Sequence, residues 1–243
     1  MHDLSNIGPR IIIALNDGRI IITETVIMGA ILAALIIAAA LWLTSDLKKE
    51  PSKKQIVAEF IVEMVYKLTK NTMGAHNVNF APYVGTLIIF LLLGNSLGLY
   101  GLRPITADVN MTFALSLITF FLIQYNSIKS MGIKGKLKHM CEPYVFMFPL
   151  KIIEEIAKPI SLGFRLFGNI LGGVIVMSLI FTGLGGLCHM LHLPIPILEA
   201  VIPLPANLFF DVFEPIVQMF IFTMLTMVFI SIEMKKPGDG GHH

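Results

Sequence analysis

A lone arginine interrupts an otherwise apolar run at residues 161–176, which read SLGFRLFGNILGGVIV. The run lies inside a longer apolar stretch, 150–182, and about 20 apolar residues are enough to cross the hydrocarbon core of a membrane. An arginine at the centre of a membrane helix costs about 2.5–3.5 kcal/mol on insertion scales. Arg165 is therefore a candidate functional residue, because ionisable groups at this depth rarely persist without a use.

The composition supports a membrane setting for this run. Of 243 residues, 55% are hydrophobic and only 14% are charged, and the mean hydropathy is +0.78. Soluble domains are about one quarter charged, so a soluble chain of this composition could not cover its core with polar surface. The net charge of +2 points to no particular partner, and the surplus apolar surface indicates contact with lipid.

Apolar runs of spanning length occur five times along the chain. They cover residues 22–43, 83–102, 111–128, 150–182 and 200–232. Lipid offers backbone groups no hydrogen-bond partners, and the runs lack the alternation of barrel strands, so each run predicts a helix. The last two exceed the membrane thickness, which predicts a strong tilt. We therefore expect an all-α integral membrane protein that forms one membrane domain over residues 1–243.

A sixth segment, residues 52–72, has the pattern of an amphipathic helix. Ile56, Phe60, Met64 and Leu68 fall on one stripe, and lysines and a glutamate fall elsewhere on the helical wheel. This pattern predicts an interfacial helix at the membrane surface, although a helix in a water-exposed loop would show it too. Residues 1–21, before the first span, form a predicted outer segment.

The distribution of basic residues predicts the orientation of the five spans. Fourteen lysines fall in connections on one side, which should be the cytoplasm, and Arg10, Arg19 and Arg103 fall on the other. The N-terminus is then outside and the C-terminus is cytoplasmic. The lysines are Lys48, Lys49, Lys53, Lys54, Lys67, Lys70, Lys129, Lys134, Lys136, Lys138, Lys151, Lys158, Lys235 and Lys236.

Small residues share the helix face of Arg165. Ser161, Gly168 and Gly172 are spaced from it by one, one and two helical turns. Such a face lets another helix approach closely, so the pattern predicts a close-packed surface that carries one permanent positive charge. Two plainer interpretations remain open: the glycines serve ordinary helix packing, and the arginine forms a structural ion pair.

The last apolar run carries acidic residues. Asp211, Glu214 and Gln218 stand at i, i+3 and i+7, and Pro215 interrupts the helix and frees a backbone carbonyl. Polar groups on one face of an apolar helix suggest a wet path through the membrane, although both acids could instead lie in water at the membrane edge. Asp108, in the connection before the third span, reads by itself as a helix-cap residue.

Three segments resemble subunit a of the F-type ATP synthase. They are PITADVN at 104–110, EEIAKPISLGFRLFGN at 154–169, which is the most specific, and VQMFIFTMLTMVFISIEM at 217–234. The resemblance extends over residues 22–234. It implies a bacterial plasma-membrane protein that carries protons between two offset half-channels, beside a rotating ring of c subunits and held by peripheral-stalk b subunits.

The resemblance also implies roles for individual residues. Arg165 matches the arginine between the half-channels and facing the ring, and Asn169 and Gln218 match polar residues near it. Asp108 and Asp211 match positions that line the outer half-channel. Many relatives carry glutamate or histidine where this chain has Val174, and we expect Glu214 to take over that role. We expect no metal, no cofactor and no nucleic-acid partner.

Other functions fit parts of the sequence. A sodium-coupled form of the same subunit is an open alternative, because the ring carboxylate that selects the ion lies on another chain. A secondary transporter would show repeated halves, and none is visible. Cys188, His189 and His192 could suggest a metal enzyme, although their spacing is loose. A purely structural subunit would leave Arg165 unexplained. The chain has no GxxxxGK[ST] phosphate loop, so we expect no ATP site in it.

Overall fold

The computed structural model of the protein describes residues 11–15, 20–45, 52–141, 145–190 and 203–234. Nearly all of this part is helical. The helices are α1 Glu24–Thr44, α2 Lys53–Met73, α3 Ala81–Asn95, α4 Val109–Cys141, α5 Phe148–Met190, α6 Pro203–Leu208 and α7 Glu214–Met234. Single 3-10 turns occur at Ala75–Phe80, Ser96–Tyr100, Ile105–Ala107 and Val145–Met147, and a π-helix at Phe209–Phe213 joins α6 to α7.

Within the described residues, five helical segments are long and apolar enough to cross a membrane, which confirms the predicted fold class. They are Glu24–Thr44, Ala75–Tyr100, Val109–Leu137, Phe148–Cys188 and Pro203–Met234. The fourth and fifth contain 41 and 32 residues, so these two helices are again the longest, as predicted. Most predicted span boundaries lie inside the observed ones, because polar turns extend the helices beyond their apolar runs. Residues 200–202 of the last predicted span lie outside the described part.

A small β-hairpin precedes α1, where the sequence analysis predicted only an outer segment. Strand β1, Ile11–Leu15, pairs antiparallel with β2, Ile20–Thr23. Both strands are rich in isoleucine, and Asn16-Asp17-Gly18 between them is a hairpin turn signal that the hydropathy argument overlooked. Residues 1–10 and 16–19 lie outside the described residues.

Helix α2 forms where the interfacial helix was predicted, but it packs through a different face. Val65, Thr69 and Met73 are buried, whereas Ile56 and Phe60 of the predicted stripe are exposed. Val65 and Met73 belong to a core shared with α3, α4 and α7. The bundle therefore contacts the face of α2 that carries Val65, Thr69 and Met73. The predicted stripe remains an exposed apolar surface that is suited to lipid.

Two clusters of buried side chains hold the spans together. The first joins α2, α3, α4 and α7 through Val65, Met73, Val84, Ile123, Met227 and Ile230. The second joins α3, α5 and α7 through Leu87, Leu91, Leu162, Leu166 and Phe222. Only 6% of the most apolar window of α5 is buried, so one side of this helix faces something other than the chain described here.

Helix α4 is broken at Gly132, whose φ of 73° and ψ of 163° lie outside helical values. This backbone region is almost restricted to glycine. The break ends the apolar part of α4 and turns the lysine-containing segment 133–141 away from it. The predicted span 111–128 therefore corresponds to the first part of a longer, kinked helix.

We predict that Gly132→Ala destabilises the protein by about 1–3 kcal/mol, the usual cost of a side chain in such a backbone conformation. Gly183→Ala is the matched control. Gly183 lies within α5 with open space around its Cα, so alanine there should be neutral or stabilising. Thermal unfolding of the detergent-solubilised protein measures both, and equal effects at the two positions would contradict the assignment of strain to Gly132.

Candidate functional site

Glycines divide α5 into a packed face and an open face. A Cβ on Gly163 would lie 3.2 Å from the Ser116 hydroxyl of α4, and one on Gly173 would lie 3.0 Å from the ring of Phe210. A Cβ on Gly168 or Gly172 would meet no atom within 4 Å. Helix α5 thus packs on the bundle through one set of glycines and leaves the predicted small-residue face uncovered by the described chain.

Arg165 lies on a cavity beside this open face. The cavity has a volume of about 310 Å³ and is here called the arginine cavity. Its lining residues are Glu154, Ala157, Lys158, Ser161, Leu162, Arg165, Leu225 and Phe229. Among the described residues, no carboxylate lies within ion-pair distance of the guanidinium, and no side chain is hydrogen-bonded to it. Its charge is therefore presented to the cavity.

A second cavity, of about 410 Å³, lies farther along α5. It contains two acids of the last span, Asp211 and Glu214, and is here called the acid cavity. Three parts of the chain line this cavity. Residues 95–107 contribute Asn95, Gly98, Arg103, Pro104 and Ala107, and the last span also contributes Asn207, Phe210 and Pro215. The lining residues from α5 are Phe167, Ile170, Leu171, Gly173, Val174, Met177, Ser178 and Phe181. The two cavities share no lining residue.

Two glycines make room for the carboxylates. One Asp211 oxygen lies 3.5 Å from the position that a Cβ on Gly98 would occupy, and one Glu214 oxygen lies 3.4 Å from the corresponding position on Gly173. Both glycines border the acid cavity, so larger side chains would compete with the carboxylates for space. Val174, where many resembling proteins carry an acid or histidine, lines the same cavity.

Pro215 explains the local helix geometry around these acids. Proline has no N–H to donate to the carbonyl four residues earlier, and its ring clashes with that carbonyl. Over Phe209–Phe213 the helix widens into a π-helix, and the Glu214 N–H donates to the carbonyl of Phe209. Single π-helical turns are frequent at functional sites because they reorient neighbouring side chains.

Asn169 and Gln218 meet between α5 and α7. The Asn169 side-chain amide donates a hydrogen bond to the side-chain oxygen of Gln218 and so joins α5 to α7. Gln218 is 1% exposed, and its own amide nitrogen has no hydrogen-bond partner in the described part of the chain. Neither residue is among those that line the two cavities, and the hydrogen bond between them bridges two helices. Their place near Arg165 stays a prediction.

The structure places Asp108 in the framework of the site. Its carboxylate is 2% exposed and accepts hydrogen bonds from the Thr25 hydroxyl at 2.6 Å, the Thr23 hydroxyl at 3.2 Å and the Asn110 N–H at 2.9 Å. It is not among the residues that line the acid cavity, unlike the preceding Ala107. Asp108 thus ties the start of α1 to the start of α4, which supports the cavity wall.

Sequence reasoning missed several polar residues of the two cavities. Lys158 borders the arginine cavity and pairs with Glu233 on α7, and Asn95 and Arg103 border the acid cavity. Lys158 was counted only as a topology signal, although it lies seven residues before Arg165 on α5. Its spacing of about two helical turns could have placed it on the arginine face.

The alternative metal site cannot be traced through the structure. His192 and the side chain of His189 lie outside the described residues, and Cys188 is buried. Within the residues that are described, no group of three or more histidine, cysteine, aspartate or glutamate side chains could hold a metal ion.

Comparison with known proteins identifies a family for this chain. The sequence model of the family described as ATP synthase A chain matches residues 26–231. The chain is 35% identical to ATP synthase subunit a of Moorella thermoacetica, over 88% of this chain and 92% of that protein. It is 32% identical to the sodium ion specific subunit a of Propionigenium modestum, over 86% and 73%, and 32% identical to that of Bacillus subtilis, over 85% and 89%.

We predict that Asp108→Ala destabilises the protein more than Asp108→Asn. Alanine removes the acceptor of three donors; the Thr23 and Thr25 hydroxyls can still bond each other, so one hydroxyl and the Asn110 N–H lose their acceptor, at about 1–3 kcal/mol for each unsatisfied group. Asparagine keeps one acceptor oxygen. Thermal unfolding of the detergent-solubilised protein tests the order, and equal stabilities of the two variants would contradict a framework role.

Proposed function

The chain belongs to the ATP synthase A chain family, and from this membership we propose that it is the ion-translocating stator subunit of the membrane part of an ATP synthase. The two cavities act as offset half-channels. Arg165, which lines the arginine cavity, acts as the barrier between them and faces a rotating ring of c subunits. The observation that carries the proposal is the pair of cavities, which lie on the same two helices and share no lining residue.

Physical chemistry gives this arrangement a mechanism. Each ring subunit carries one carboxylate, which must be neutral in lipid, either protonated or holding sodium, because a bare charge there is too costly. Beside Arg165 the fixed positive charge favours the ionised form, and the ion leaves through one half-channel. Past the arginine, the carboxylate reloads from the other half-channel. The same positive charge repels cations and prevents a direct leak between the cavities.

The open face of α5 is the proposed surface for the ring. Ser161 is exposed, Gly168 and Gly172 have open space before them, and Arg165 lies among them. Small side chains would let the ring helices pass close to the guanidinium. Peripheral-stalk b subunits would hold the chain still against the torque of the ring.

The orientation follows the basic residues. We place the N-terminus outside and the C-terminus in the cytoplasm of a bacterium, in its plasma membrane. The acid cavity, which borders Arg103 and Pro104 in the connection between the second and third spans, is then the outer half-channel. The arginine cavity, bordered by Glu154 and Lys158, is the cytoplasmic half-channel. Asp211 and Glu214 are the outer ion-path acids.

The transported ion is the proton in our proposal, with sodium as the second candidate. The relative from Propionigenium modestum is described as sodium ion specific, and the others cited carry no such description. Carbodiimide modification of the ring carboxylate in the intact complex distinguishes the two ions. Protection by sodium would identify a sodium-coupled complex, and the absence of protection a proton-coupled one.

We predict that Arg165→Lys and Arg165→Ala both abolish nearly all ion-coupled ATP synthesis in membrane vesicles. Alanine removes the fixed charge, and lysine replaces a planar guanidinium with a compact, strongly hydrated ammonium that can lose its proton. Lys67→Gln is the control, because Lys67 is exposed on α2 and pairs only with Glu63 there among the described residues. Normal synthesis in the alanine variant would overturn the proposed function.

Glu214 supplies the acid that Val174 lacks, so we predict that Glu214→Gln strongly lowers coupled synthesis. Glutamine has nearly the same shape and leaves the cavity one titratable group short. The double variant Val174→Glu/Glu214→Gln moves the acid across the cavity from α7 to α5 and should recover part of the activity. Rates of synthesis at a fixed ion gradient measure both. Full activity in Glu214→Gln would remove Glu214 from the ion path.

A further inference from the structure

A second cation, Lys158, lines the arginine cavity and pairs with an acid, Glu233, that lies outside the cavity lining. The Lys158 ammonium lies 2.9 Å from a Glu233 carboxylate oxygen and 3.6 Å from a Glu154 oxygen. Glu233, with 10% of its side chain exposed, also accepts a hydrogen bond from the Ser127 hydroxyl at 3.4 Å. The aromatic ring of Phe229 lies 5.8 Å from the ammonium. The cluster joins α4, α5 and α7.

The charges of the cavity do not balance without Glu233. Lys158 and Arg165 supply two positive charges to its lining, and Glu154 supplies one negative charge. The two cations are seven residues apart on α5, about 10.5 Å along a helix. An uncompensated lysine at this distance would repel any cation that enters or leaves through the cavity. Glu233 stands outside the lining and brings the total to zero.

We propose that Glu233 is a positioning residue that fixes and neutralises Lys158, so that a cation can pass the arginine cavity while Arg165 alone provides the barrier. The inference rests on the proposed function of this cavity as the cytoplasmic half-channel. Its physical content is electrostatic, because the Lys158–Glu233 pair sets the local field at the cavity. The alternative is a purely structural role, in which the Lys158–Glu233 bond holds α5 against α7. That role would depend on the bond itself and not on the electric field in the cavity.

Ion uptake by inverted membrane vesicles tests this idea, because ATP-driven pumping there takes ions in from the cytoplasmic face. Glu233→Gln removes the nearer of the two acids that pair with Lys158 and leaves the cavity with one net positive charge. It should slow initial uptake by about tenfold at low ionic strength, with a smaller effect at high salt. Lys158→Gln/Glu233→Gln removes both charges and should restore uptake to within about twofold of wild type. A structural cross-link would predict the opposite, with no rescue in the double variant.

A neighbouring ion pair provides the matched control. Lys136 and Glu155 join α4 to α5 at 3.6 Å, and neither residue lines the arginine cavity. Glu155 forms no ion pair with Lys158 and acts on it only from a distance, so Glu155→Gln should slow uptake clearly less than Glu233→Gln. Glu154→Gln changes the net charge of the cavity by the same amount as Glu233→Gln, but at an exposed position. It therefore provides a second test if the Glu233→Gln protein does not assemble. It should slow uptake in the same salt-dependent way.

The outcomes separate this inference from the proposed function. Uptake that survives Arg165→Ala would overturn the function itself. Uptake that requires Arg165, is slowed by Glu233→Gln and is not rescued by the double variant would overturn only the electrostatic role of Glu233. Wild-type uptake in both Glu233→Gln and Glu154→Gln would overturn it as well.

Discussion

A guanidinium that cannot be neutralised, placed within an apolar helix, is the constraint on which the rest of this structure depends. A buried lysine or acid can lose its charge by changing its protonation state, but an arginine stays charged and must be accommodated. Pairing Arg165 with an acid of its own bundle would satisfy it and cancel its field. The described chain instead leaves it beside a cavity. The charge is thus kept in the membrane at a cost, and kept available to something outside the chain.

Helix α5 meets two opposing demands with one residue type. To hold Arg165 in place it must pack tightly on α4 and the last span, and it does so where Gly163 and Gly173 bring the backbones together. To present the charge it must also leave a face bare, and Gly168 and Gly172 have open space there. The sequence shows only a glycine-rich helix, and three-dimensional placement distinguishes the packing glycines from the exposed ones.

The spanning helices, and the choice of Arg165 as a candidate functional residue, could be derived from the sequence because each depends on a local free-energy term. Apolar length predicts a span, and a charge in that span predicts a use. Features made by residues far apart in the chain could not be predicted. Asp108 is buried because Thr23 and Thr25, 85 and 83 residues away, donate to it. The same limit applies to the partner of Lys158, which lies 75 residues farther along the chain.

The amide bridge between Asn169 and Gln218 suits the proposed mechanism for a reason of charge. A carboxylate at either position would stand close to Arg165, pair with it and offer a proton relay from one cavity to the other. The two amides form a hydrogen bond between α5 and α7. They do not titrate, so they cannot relay a proton. The Gln218 amide nitrogen has no partner in the described chain, and this leaves a donor that can orient water or an approaching acid. In the proposed mechanism, neutral polarity at this point would keep the two aqueous routes apart and leave the arginine as the charge that an ion must pass.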